Sequence, residues 1–511
     1  MTFQSILFLN ADDKSAVSQA REPSFFGDLN LDQIVSAVTV QKQEYDLKPF
    51  FYMPLHDADA VNFRHEIVRD LEVPDMMRIV KAFAYRMRTV RERLVQSEKR
   101  RNRYQQMRWL LEAVALYGKT VASLVSDMAT AEIKSRGLLA FREYVAGYAA
   151  SERFIAPNGE AEHLLAELNT IRYSILIRDL CVEVRPYQGE PDYGAEVASV
   201  FERFERDAVH TYSFEFGDYP DVNSIEANIL RLVAQTHREV FDRLEHYCGS
   251  NKDFQDLLLV RFDREVQFYI AYLDHIAPFK KAGLNFCYPR VSQIDKNTHV
   301  SETFDLALAG KLSGKRTIPI CNDFRLCGSE RIIVITGPNQ GGKTTFARMF
   351  GQLHYLTSLG LPVPGSEAQL YLPDQIFTHF ERIEHTTNLT GKLQDDLVRI
   401  HKVLEDATPQ SVIIINEIFT STTLQDAISL SQKVATTIME LAALCAWVTF
   451  IDEIASLSEK TVSMVATVTP EDSERRTFKI IRQSPNGLAY AMSLARKYRL
   501  TSEAIKERIT S

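Results

Sequence analysis

Several things are scarce in this 511-residue sequence. No run of about 18 apolar residues occurs, so no membrane-spanning helix is expected. Cysteine appears six times, at 181, 248, 287, 321, 327 and 445, and no two have metal-ligand spacing. Scattered cysteines of this kind read as reduced thiols, which points to a cytoplasmic protein. The N-terminal stretch MTFQSILFLNADDK has two aspartates and no basic leader region, so it does not read as a secretion signal. Net positive charge is also missing. The formal charge is −8, which argues against a protein that coats nucleic acid non-specifically but leaves room for a local basic surface. Internal repeats and low-complexity tracts are absent.

Glycine is sparse between about 30 and 290, and long runs there have helical period. In the stretch 78–128, Val80, Phe83, Met87, Val90 and Leu94 recur every three or four residues, an apolar stripe opposite a charged face. The segment 172–216 breaks the pattern with β-branched residues followed by Pro, Gly and acids, and reads as short strands or an inserted loop. From about 300 the texture changes. The apolar runs 331–336, 375–380, 411–416, 445–451, 463–468 and 477–482 read as strands, most of them separated by helices. Such alternation implies a buried, largely parallel sheet. With 45% hydrophobic and 25% charged residues, a chain of this length is expected to form two to four domains.

The chemistry concentrates in TGPNQGGKTTFARMF, 336–350. Gly337, Pro338, Asn339, Gln340, Gly341, Gly342, Lys343 and Thr344 fit G-x-x-x-x-G-K-[ST] between a strand and a helix. Glycines let backbone N–H groups converge on phosphate oxygens, and the helix N-terminus adds about half a positive charge there. Lys343 can reach the β- and γ-phosphates, and the Thr344 hydroxyl can hold Mg²⁺. Downstream, IIINEIFTSTT (413–423) offers Glu417 to orient or deprotonate water. The preceding residue is Asn416, where such strands usually carry Asp. Its amide oxygen can accept from metal-bound water but has no charge, so weaker Mg²⁺ binding is expected.

These residues are similar to those of the MutS family. The phosphate loop and following helix resemble its TGPN-x-GGK-[ST]-T pattern and G-x-x-VP turn, and 376–430 resembles the stretch leading to its D-E-I-G-x-G-T-S strand. The end, TFKIIRQSPNGLAYAMSLARKYRLTSEAIKERI, resembles its closing segment. FFYMPLHDADAVNFRHEIVRDLE and DHIAPFKKAGLNFCYPRVS resemble the entry to and exit from its helical core. The resemblance implies an α/β P-loop ATPase domain of ABC/MutS-type mixed sheet at 296–511. This follows a mainly α-helical core/lever domain at 31–295, with 1–30 an N-terminal segment. It implies ATP on residues 337–345, Thr345 included, with Mg²⁺ at Thr344 and Asn416 and Glu417 as the hydrolytic carboxylate. It further implies a homodimer whose levers clamp DNA in repair or recombination.

The departures narrow that expectation. Only 30 residues precede the helical region, too few for a mismatch-reading or connector domain, so neither is expected. A C-terminal dimerisation tail is also not expected. Phe450 stands for the family's His, Leu393 for a Ser that reaches the partner's nucleotide, and no aromatic presents itself for adenine stacking. Eleven Lys and Arg residues occupy 78–108 against Glu92 and Glu98, and Arg93, Lys99, Arg100, Arg101 and Arg103 are candidate DNA contacts. The same stripe could equally be a solvated face paired with acids of a neighbouring helix. Two other functions remain: a low-turnover, nucleotide-gated protein-interaction module, favoured by Asn416 and the acidic balance, and a transporter-type ATPase, disfavoured by TGPN and the GLAY ending.

Overall fold

The computed structural model describes residues 3–9, 17–179, 181–191, 223–315, 317–381, 391–469 and 472–485. The acidic stretch 192–207, His385 and the GLAY segment lie outside the described residues. By contact the chain forms two compact units. One comprises residues 1–3, 74–132 and 139–263, the other 4–73, 133–138 and 264–511. This division differs from the change in sequence texture near 295, because residues 4–73 pack with the strand-rich C-terminal part. Among the described residues, no helix is long and apolar enough to cross a membrane.

The first unit is built on the periodic stretch, which is not one helix. It divides into α1 (Pro74–Lys99) and α2 (Arg103–Thr130). The Asn102 side chain accepts from the N–H groups of Tyr104 and Gln105 and so starts α2 afresh. The Ser97 hydroxyl donates to the Gln106 carbonyl and Arg93 pairs with Glu112, so the helices run antiparallel. Val80, Phe83, Met87 and Val90 are buried as the stripe requires. Leu111, Val114, Leu164, Phe241, Leu244 and Tyr247 form a second cluster that joins α2 to helices Glu152–Thr170 and Arg238–Ser250. Within the irregular segment, Tyr173–Arg178 and Cys181–Pro186 pair as an antiparallel hairpin.

The second unit contains a six-stranded sheet. Its strands are β1 (Ile332–Thr336), β2 (Ile376–Phe380), β3 (Val412–Asn416), β4 (Leu444–Val448), β5 (Thr461–Thr469) and β6 (Asp472–Arg482), in spatial order β2-β3-β4-β1-β5-β6. The first five are parallel and β6 is antiparallel to β5. All six apolar runs of the sequence thus enter one sheet. β1, β3 and β4 are buried along their whole length, which explains their unbroken apolar composition. A four-stranded sheet orders Arg290–Ser292, Glu367–Tyr371, Thr298–Thr303 and Asn322–Leu326.

The helix after β1, α3 (Lys343–Ser358), is buried at every residue from Met349 onward. A helix buried all round needs partners on every side. Here residues 26–64 supply the covering layer. Leu29 approaches so closely that a Cβ at Gly351 would lie 2.7 Å from its methyl groups. Polar side chains of α3 find fixed partners: Arg348 donates to the Asp28 carbonyl, Gln352 to the Leu29 carbonyl and Tyr355 to the Phe51 carbonyl. At the far end, the fully buried Arg64 donates to the carbonyls of Leu7 and Leu359, bracing the helix terminus against the N-terminal segment.

Three fully buried histidines, His65, His354 and His379, sit in this unit. Burial pushes their pKa values down from 6.5, to about 3 for His65 and about 4 for the other two. A depressed folded-state pKa means stability that is present above pH 6.5 and is lost as pH falls, because the unfolded chain takes up protons first. We expect the unfolding free energy to drop between pH 6.5 and 4, with each histidine contributing on the order of 1.4 kcal/mol per pH unit. Urea titrations across that range check this. Replacing His354 with Asn should make the slope measurably shallower.

Candidate nucleotide site

In a parallel sheet all strand C-termini lie at one edge, and the crevice outside that edge is where ligands bind. Thr336 ends β1 and Asn416 ends β3, with β4 between them. The loop 337–342 leaves β1 at this edge. It needs glycine in three places, one of them Gly342 with φ of 93°. Gly337 has φ of 115° and a Cβ there would lie 2.9 Å from the Ala466 carbonyl oxygen, while a Cβ at Gly341 would lie 2.9 Å from the Pro338 carbonyl oxygen. Gln340 also adopts positive φ, at 61°.

The Lys343 side chain turns back over the loop. Its ammonium donates to the carbonyls of Gly337 (3.0 Å) and Pro338 (3.3 Å) and to Asn339 Oδ1 (3.1 Å), and lies 3.9 Å from Glu417 Oε1. Burial pushes its pKa down, the Glu417 carboxylate opposes this, and the positive charge of Arg476 adds to it. The Thr344 hydroxyl donates to Asn416 Oδ1 at 2.9 Å. Glu417 has φ of 54° and Phe419 of 62°, a strained turn. The turn is held by the Glu417 N–H on the Val448 carbonyl and by burial of Ile418 and Phe419 in the core. Lys343, Thr344, Asn416 and Glu417, chosen from sequence, therefore meet in one place.

A cavity of about 760 Å³ adjoins them, lined by polar groups of Asn339, Gln340, Lys343, Thr344, Thr345 and Glu417 and by the apolar side chains of Leu308, Ile318, Ile320, Met349 and Phe478. The Phe478 ring lies beside the loop, 3.8 Å from where a Cβ at Gly342 would stand. Phe478 lines this cavity, an aromatic that sequence reading did not single out. It looks like an ordinary strand residue, but β6 bulges there, since Ala466 pairs with Ile480 while Val468 pairs with Arg476. Asn322 pins the bulge from both sides. Its amide donates to the Phe478 carbonyl (3.2 Å) and accepts from the Ile480 N–H (2.7 Å). Phe478 takes φ of 60° and keeps its ring about half exposed in the cavity wall.

The donors fit a hard divalent cation. A hydroxyl, an amide oxygen and one carboxylate stand beside the phosphate loop, an all-oxygen set of low charge. No cluster of three or more His, Cys, Asp or Glu residues suited to holding a metal exists among the described residues.

The other sequence candidates are placed differently. Leu393 packs against the core cluster that contains Phe419. Phe450 is half exposed at the sheet edge, next to Thr449, whose N–H bonds the Ile335 carbonyl. On the first unit, most of the basic stripe is engaged internally. Arg93 pairs with Glu112, Arg103 with Glu245, Arg91 with Asp263 and Arg108 with Glu112. Arg100 is buried with its guanidinium 5.6 Å from the Trp109 ring centroid. Lys99 and Arg101, at the turn between α1 and α2, are exposed.

Comparison with known proteins bears on the same region. Residues 333–509 match the family model for MutS domain V. The DNA mismatch repair protein MutS of Shouchella clausii (strain KSM-K16) is 25% identical over 288 residues, covering 50% of this chain and 33% of that protein. The DNA mismatch repair protein MutS of Chlorobium chlorochromatii (strain CaD3) is 27% identical over 245 residues, covering 46% of this chain and 28% of that protein. The matches thus span about a third of the length of these relatives.

Proposed function

We propose, from the premise that this chain is a divergent and partial member of the MutS family, that it binds and hydrolyses ATP at the loop 337–345 and couples this to DNA binding as a dimer. The observation that carries the reading is the convergence of Lys343, Thr344, Asn416 and Glu417 on one loop beside an apolar cavity. On nucleotide binding, Lys343 exchanges the carbonyls it now holds for phosphate oxygens. Backbone N–H groups of the loop and the N-terminus of α3 receive the rest of the phosphate charge. The apolar walls take the nucleobase, with the Phe478 ring offering a stacking face.

Hydrolysis is attack of water on the γ-phosphate. Glu417 orients that water, and Lys343 offsets charge that develops on the phosphoryl oxygens. Thr344 and Asn416 would hold Mg²⁺, which supplies further positive charge when bound. Asn416 favours a second reading, a nucleotide-gated module of low turnover that contacts protein rather than DNA.

Two measurements separate these readings. Steady-state ATP hydrolysis by Glu417→Gln should be about 100-fold slower than wild type, with ATP affinity nearly unchanged. Equal, background-level rates for both proteins would favour the module. DNA binding should be salt-dependent, and Lys99→Ala/Arg101→Ala should lower the log–log salt slope by roughly 2. No DNA binding at low salt with either ADP or ATP would contradict the DNA-binding reading.

A further inference from the structure

The charge balance around the loop is unusual for a site that handles a polyphosphate. The carboxylates lining the cavity are Asp305 and Glu417. Asp305 is buried and committed elsewhere: it accepts from the Leu308 N–H, starting helix Leu306–Ser313, and from Gln352 Nε2. The group on the Thr344 hydroxyl is a neutral amide. Among the described residues that line the cavity, the remaining carboxylate, Glu417, faces the ammonium of Lys343 and the N-terminus of α3. Arg476 faces Val468 across the β5–β6 ladder, and its charge is felt at Lys343 in addition to the larger effect of burial.

We infer that this site binds the phosphate chain of a nucleoside di- or triphosphate with little dependence on Mg²⁺, because Asn416 removes the carboxylate that would both attract the cation and repel the phosphates. The inference rests on the nucleotide-site reading above and sharpens it. Its physical basis is linkage. Mg²⁺ strengthens nucleotide binding only as far as the nucleotide strengthens Mg²⁺ binding. A neutral side chain at 416 shrinks that coupling by weakening the hold on the cation in the nucleotide-bound site. It also relieves Coulomb repulsion on the phosphate chain, which favours binding in both conditions and so leaves binding without the cation strong. Lys343 and the N-terminus of α3 then carry the neutralisation that a cation would otherwise share. Mg²⁺ keeps a role in turnover.

The test is equilibrium binding of fluorescent ADP and ATP analogues to the full chain, in Mg²⁺ and in excess EDTA. Wild type should show affinities within about fivefold of each other in the two conditions. Asn416→Asp, nearly identical in shape, should widen the gap to about tenfold or more, with binding in EDTA weaker than wild type. A wild-type gap above fivefold, or an Asn416→Asp variant with the same gap as wild type, overturns the inference while leaving the nucleotide site standing. Absence of binding in both conditions overturns the nucleotide site and the inference together.

Discussion

A buried ammonium group must be hydrogen-bonded, and the second unit is organised around satisfying one. Lys343 is only 5% exposed. Unpaired, its charge would cost several kcal/mol in that position. The loop that precedes it supplies two carbonyls and an amide oxygen, and each acceptor depends on the backbone path that Gly337 and Gly341 permit. Those glycines are in turn required by the close approach of β5 at Ala466 and of the Pro338 carbonyl. The cradle is thus preorganised with a cation already in it, held by oxygen acceptors of the kind a phosphate would offer.

The position of the lysine depends on α3, and α3 depends on two layers. The sheet covers one side. The segment around residues 26–64 covers the other, with Gly351 allowing contact with Leu29 and Arg64 fixing the far end. A helix with this many buried polar groups is stable because nearly all of them meet a partner; His354 bonds through Nδ1, while its Nε2 is left unpaired. The rigidity passes to the site, since β1, β3 and β4 present Ile335, Asn416 and Val448 in register at one edge, with Thr336 one residue beyond.

Much of this was legible in sequence because it is local. The loop pattern, the apolar strands and the Asn416-Glu417 pair each occupy a few consecutive residues whose types follow from their chemistry. What sequence did not reveal depends on pairing between distant segments. The Phe478 bulge exists only because β6 slips against β5 and because Asn322, more than 150 residues earlier, accepts and donates on either side of it. The commitment of Arg93 and Arg103 to Glu112 and Glu245 requires knowing which helices lie side by side. The break at Asn102 was hidden by helical period on both sides. The packing of residues 26–64 on α3 left no signal in composition, since most of those residues have the same helical texture as the rest of the N-terminal half.

The central claim is that Lys343 is a phosphate ligand and not simply a buried structural cation. Equilibrium ATP binding by wild type and Lys343→Ala, with folding of both verified by circular dichroism, tests it directly. The account predicts a loss of about 100-fold in affinity with the fold retained, as expected for removing a partly desolvated charge from a polyphosphate. Equal affinities for the two proteins would contradict it.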